Sequence, residues 1–168
     1  GIAATGSSAL TTPEAQAAMA TTALKQGISR VVSVRANTAS LDTHYDEWTT
    51  NQGPIQERGW NAIARMIEDL ETTEYKDTGS SWLDRTTIVA FSEFQRTPRI
   101  NERNGRDHHL GNCALVAGGG IKPGIVVGAS SDRGMGPELV NIQSGQPDES
   151  GASLSPEHVL STVLQAGG

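Results

Sequence analysis

Thr86-Thr87-Ile88-Val89-Ala90-Phe91 runs directly into Ser92-Glu93-Phe94-Gln95-Arg96-Thr97-Pro98-Arg99-Ile100-Asn101-Glu102-Arg103-Asn104-Gly105-Arg106-Asp107-His108-His109. The first six residues are largely apolar and β-branched, as in a strand whose two faces are both covered by helices. The remainder packs carboxylates, arginines and paired histidines into one loop. A second polar knot, Asp42-Thr43-His44-Tyr45-Asp46-Glu47, follows the β-branched run at residues 28–35. Two strands that each empty into a loop rich in Asp, Glu and His form the pattern of a metal site at the carboxyl edge of a parallel sheet. The expected fold class is therefore α/β, a layered sheet of mainly parallel strands with helices on both faces.

Working outward, Ile55, Trp60, Ile63, Met66, Ile67 and Leu70 recur mostly every three or four residues, an amphipathic helix that would connect the two strands. Upstream, Thr12 can cap a helix that starts at Pro13, carries Glu14 in its first turn and stops at Gly27. Its buried side would hold Ala15, Met19, Ala20, Ala23 and Leu24. Downstream, residues 112–117 form a further strand closed by Gly118-Gly119-Gly120, and residues 125–128 a short fourth strand across the Lys122-Pro123-Gly124 turn. Residues 129–153 read as a long surface loop. Ser155-Pro156-Glu157 opens a last helix with Val159, Leu160, Val163 and Leu164 inward. The central strands, residues 31–34 and 86–91, would be parallel neighbours.

Composition narrows the function classes. The chain has 168 residues and a net charge of −6, enough for one domain with a core but without a basic face for nucleic acid. No apolar run approaches the ~18 residues of a membrane span. Cys113 is the single cysteine, which rules out disulfides within the chain and thiolate zinc sites, and leaves His, Asp and Glu as ligands. The small, polar opening Gly1-Ile2-Ala3-Ala4-Thr5-Gly6-Ser7-Ser8 reads as a linker or truncation point. The expectation is one domain over residues 1–168, part of a larger domain whose amino-terminal half is absent and would be supplied by an upstream segment or a partner chain.

The polar residues divide by what their spacing permits. Asp42 and His44 lie two apart, so an extended chain projects both to one side, within reach of one ion. Taken alone, the pair reads better as a loop cap beside an exposed histidine. Asp107-His108 alone reads as local turn hydrogen bonding, and Glu93 alone as a solvated glutamate. Their joint occurrence in loops after strands raises all of them. Arg96, Arg99, Arg103 and Arg106 carry guanidinium forks suited to phosphate or sulfate oxygens, yet could equally pair with Glu93, Glu102 and Asp107. A structural role is favoured for Arg99 and Arg103, leaving Arg96 and Arg106 as substrate-binding candidates. His109 reads as a partner of the ligand pair or a packed neighbour. His158, in the first turn of a helix, receives no site role. The triple glycine lacks the spacing of a phosphate loop.

Leu41-Asp42-Thr43-His44, Ser92-Glu93-Phe94-Gln95-Arg96-Thr97-Pro98-Arg99, Gly105-Arg106-Asp107-His108 and Ala117-Gly118-Gly119-Gly120-Ile121-Lys122 together resemble, in order and spacing, the sulfatase-like family called domain of unknown function 1501. The resemblance runs from about Ala15 to the carboxyl end and is taken as the family's carboxyl-terminal portion. It implies the doubly wound fold of the alkaline phosphatase superfamily, a bacterial exported protein (periplasmic or cell-surface), and hydrolysis of phosphate or sulfate esters with one or two divalent metals. By motif, Asp42, His44 and His108 would hold one ion, Glu93 would serve a second, and Asp107 could complete either shell. Ser40-Leu41, Gln95 and His109 depart from the family pattern, and His109 adds a further potential ligand. No nucleophile is recognisable in the chain, and Thr5, Ser7 and Ser8 have no nucleophile context.

The leading expectation is thus a metal-dependent hydrolase of phosphate or sulfate esters acting on an anionic small-molecule ester, with zinc, manganese or iron as the divalent metal. Two alternatives stand beside it. One is a non-catalytic exported or cell-surface protein that keeps the hydrolase-like fold for binding or assembly. The other is a module whose metal is structural.

Overall fold

The computed structural model describes residues 9–167, and the opening octapeptide, with Thr5, Ser7 and Ser8, lies outside them. The described chain divides into two compact units. One comprises the chain through Asp84 together with Ile100–Arg106, and the other comprises Arg85–Arg99 together with the chain from Asp107 onward.

The first unit is built on α1 (Pro13–Lys25) and α2 (Trp48–Thr72). Thr12 caps α1 as its sequence implies: its backbone is extended and its hydroxyl accepts from the Ala15 N–H at 3.2 Å. The helix ends at Lys25 with Gln26 as its C-cap, and Gly27 follows at φ +66, a left-handed conformation that costs glycine little. Small residues let the two helices approach: Ala15, Ala17 and Ala20 of α1 and Ala62 of α2 are buried, as is the larger Leu70. Arg58 grips Glu14 through two hydrogen bonds of 2.7 and 3.0 Å, and Lys25 reaches Asp69 at 2.7 Å. Both pairs span 44 positions, so α1 and α2 run parallel. Parallel helices require a return connection. A 13-residue helix rises about 20 Å, and the extended chain between Gly27 and Glu47 covers that distance with ease.

That return explains the first correction. Residues 28–35 were expected to be a strand, yet residues 31–35 carry no ladder pairing. The Arg35 N–H is bonded instead by the Gln16 side chain of α1 at 2.9 Å. Ile28 and Val31 are 75% and 81% exposed. β-branched residues favour a pleated, half-buried surface rather than a strand as such, and without a neighbouring strand their propensity has nothing to act on. The α2 helix begins at Trp48, well before Ile55, and carries Pro54 inside it. Gly53 precedes that proline and has no Cβ to crowd the ring, which makes a helical conformation there tolerable. Of the apolar faces expected from periodicity, Leu70 is buried, whereas Met19 and Trp60 are exposed.

The second unit holds the remaining regular structure. β1 (Thr87–Phe91) pairs antiparallel with β4 (Ala114–Gly118), Thr87 opposite Gly118 and Phe91 opposite Ala114. β2 (Gln95–Arg96) pairs antiparallel with β3 (His108–His109), Arg96 opposite His108. α3 (Pro156–Gly167) lies against β1, and at Gly120, φ +75, a side chain would meet Ala166 of that helix. Leu160 and Leu164, expected inward, are exposed. Residues 125–128 form no strand. The stretch 129–153 is irregular but not featureless: Val140 is 1% exposed and bridges both Pro147 and Ala152. Two small antiparallel sheets therefore replace the layered, mainly parallel sheet expected from sequence, and β1 has β4 rather than residues 31–34 as its neighbour. Both β1 and the run at residues 28–35 are apolar and β-branched, and a strand-like run does not by itself name its partner.

Two outcomes follow for the helix pair. A Cβ at Gly59 would run into Asn37 Oδ1 and stand 3.0 Å from the Ala36 carbonyl oxygen. Gly59→Ala, which in an open helix interior would stabilise by about 1 kcal/mol, should instead lower the midpoint of chemical unfolding, since overpacking costs about 1–3 kcal/mol. The Arg58 guanidinium holds the Glu14 carboxyl below its ordinary range. Its contribution is complete above the unfolded glutamate value of about 4.3 and is lost as pH falls through the lower folded value. Thermal melts from pH 6 down to about pH 3 should therefore show a smaller acid-induced drop in Arg58→Ala than in the wild-type chain.

Candidate metal centre

Asp42, Thr43 and His44 lie in extended chain just ahead of α2. Thr43 is 2% exposed, while Asp42 is exposed and His44 half-buried. This alternation turns Thr43 inward and puts the carboxylate and the imidazole on the other side, as the two-residue spacing requires. The segment is held by a turn that the sequence reading gave no role. Asn101 Oδ1 accepts from the N–H groups of Arg103 and Gly105, both at 2.9 Å, and Asn101 Nδ2 donates to the His44 carbonyl at 3.1 Å. Arg106 N–H donates to the Thr43 carbonyl at 2.8 Å, and Tyr45 bridges Asn104. The signal was present in Asn101 followed by Asn104-Gly105, since asparagine bonds its own backbone two residues on and Asn-Gly favours tight turns. Asn104 has φ +57, and a side chain at Gly105 would collide with the His44 backbone.

His44 Nε2 lies 3.4 Å from Asp42 Oδ1. Arg106 is covalently two residues from His108, and Asp42, His44 and His108 each offer a ligand atom, all within 4.8 Å of one another. Bonds of about 2.1 Å in a tetrahedral shell place ligand atoms about 3.4 Å apart. The Asp42–His44 distance already meets that figure. The donor set, two imidazoles and one carboxylate, is chemically suited to a divalent cation. These three residues could coordinate a metal.

The other residues expected at the site have surroundings of their own. Among the described residues, neither Glu93 nor Asp107 belongs to the cluster. Glu93 is exposed just past β1. Asp107 is fixed through its backbone, accepting from Thr97 N–H at 2.9 Å and donating to Thr97 Oγ1 at 3.1 Å. His109 Nδ1 accepts from Gln95 Nε2 and Gly111 N–H, each at 3.0 Å, so that nitrogen is committed to the fold. Arg106 lies over the Trp48 ring at 4.3 Å and Arg103 over Tyr45 at 4.8 Å, while Arg96 lies over Phe94 at 5.4 Å. His158 serves the start of α3, its Nδ1 accepting from Ser155 N–H at 3.1 Å. A groove of about 830 Å³ between α1 and α2, lined by Leu10, Met19, Ile28 and Met66 among others, contains none of these residues.

No helix of the described residues is long and apolar enough to cross a membrane. Neither a curated protein nor a solved structure matches the chain. A family model described as protein of unknown function, DUF1501, matches residues 2–144. The match thus extends through the amino-terminal and central chain, which corrects a resemblance drawn as a carboxyl-terminal portion from Ala15 to the end. The sulfatase-like and alkaline phosphatase character, with its exported, bacterial and hydrolase attributes, finds no support in the comparisons. Two two-stranded antiparallel sheets are also at odds with that superfamily's doubly wound sheet. Over most of its length, the chain belongs to the DUF1501 family.

Proposed function

We propose that the protein binds a divalent cation through Asp42, His44 and His108. The observation that carries this is the gathering of their ligand atoms within 4.8 Å, from segments more than 60 positions apart in sequence. Mixed imidazole and carboxylate donors suit zinc, manganese or iron. Three protein ligands leave coordination positions for water or substrate, as catalytic centres do and closed structural centres do not. That openness suits metal-assisted hydrolysis, for which we take a phosphate or sulfate ester as the substrate class. A divalent ion there would supply Lewis acidity toward the ester oxygens. Arg96, opposite His108 in the β2–β3 register, would be the arginine that meets an anionic group.

Metal analysis and calorimetric titration of the purified chain with Zn²⁺ and Mn²⁺ test the proposal. One ion per chain is expected. His108→Ala should lose more than about 100-fold in affinity, since removing even an outer partner of a ligand costs about 10–100-fold. His158→Ala should leave the affinity unchanged. Equal loss in both variants, or no uptake by the wild-type chain, would sink the metal reading. Release of p-nitrophenol from the phosphate or sulfate ester, dependent on the added metal and diminished in Arg96→Ala, is the outcome expected of the hydrolytic reading.

A further inference from the structure

We propose that Phe94 is a positioning residue that presets the imidazole of His108 for metal binding. This rests on the reading of His108 as a ligand. The two rings stack with centroids 3.9 Å apart and planes 27° apart. His108 itself is exposed, and the outer torsion of an exposed histidine is broad. A metal accepts a ring nitrogen only along its lone pair, so an unrestrained ring loses freedom when it binds. A flat neighbour held against one face removes most of that freedom beforehand.

Phe94 is in turn held. Its carbonyl accepts from Ser92 Oγ at 2.8 Å, and the Arg96 guanidinium carbon stands 5.4 Å above its ring. The antiparallel pairing of β2 with β3 sets Arg96 opposite His108 and Gln95 opposite His109, which fixes the backbone from which the imidazole projects. Gln95 Nε2 and Gly111 N–H both reach His109 Nδ1 at 3.0 Å, anchoring the residue next to the ligand. Hydrogen bonds commonly orient ligating histidines; here the orienting contact is an aromatic face.

The full-length chain and its Phe94→Leu, Phe94→Tyr and His108→Ala variants discriminate the alternatives. Without metal, the ring protons of His108, assigned by their loss in His108→Ala, should show an upfield ring-current shift that Phe94→Leu abolishes and Phe94→Tyr retains. Titration with Co²⁺, followed by its visible absorption, should give affinity about three- to tenfold weaker in Phe94→Leu, and wild-type affinity in Phe94→Tyr. Leucine keeps the apolar bulk, so a purely structural role for Phe94 would leave cobalt affinity unmoved. Wild-type affinity in Phe94→Leu, with binding abolished in His108→Ala, overturns the positioning role alone. A wild-type chain that takes up no cobalt overturns the centre itself, and the positioning role with it.

Discussion

The carboxamide of Asn101 is the interaction on which the candidate centre depends. Its oxygen closes the turn by accepting two backbone N–H groups, and its nitrogen bonds the carbonyl of a proposed ligand, His44. One planar group thus fixes the shape of residues 101–105 and ties that shape to the segment bearing Asp42. Each bond is worth only about 1 kcal/mol net. Their value lies in geometry, because one side chain holds three backbone groups in a single arrangement. The aromatic contacts of Arg103 with Tyr45 and Arg106 with Trp48 cover the same turn.

The helices were legible because their signals are local. Thr12, Pro13 and Gly27 mark the limits of α1 through capping chemistry that depends on the nearest few residues. The start of α2 at Trp48 was not legible because the apolar periodicity that marks the helix begins only at Ile55. Sheet partners were not legible. The run at residues 28–35 has the composition of a strand, yet pairing is a property of two segments, and nothing within ISRVVSVR states whether a partner lies beside it.

The candidate ligands were legible for a different reason. Asp42 and His44 share a side because alternation along extended chain is a local rule. Phe94 was not legible as a contact of His108, since it depends on the β2–β3 register. Arg96, Arg103 and Arg106 lie over aromatic rings, contacts that composition alone does not disclose.

The path of residues 85–107 has a practical consequence for anyone who would dissect the chain. It starts in one compact unit, leaves it for Ile100–Arg106, and returns at Asp107. No single cleavage point can then yield both halves intact. A product ending at Asp84 would lack the turn centred on Asn101, and one beginning at Arg85 would carry that turn as an orphaned loop between β2 and β3. The units are interleaved in the genetic message, and an exon-like exchange of either one would have to transplant two separate stretches of sequence together.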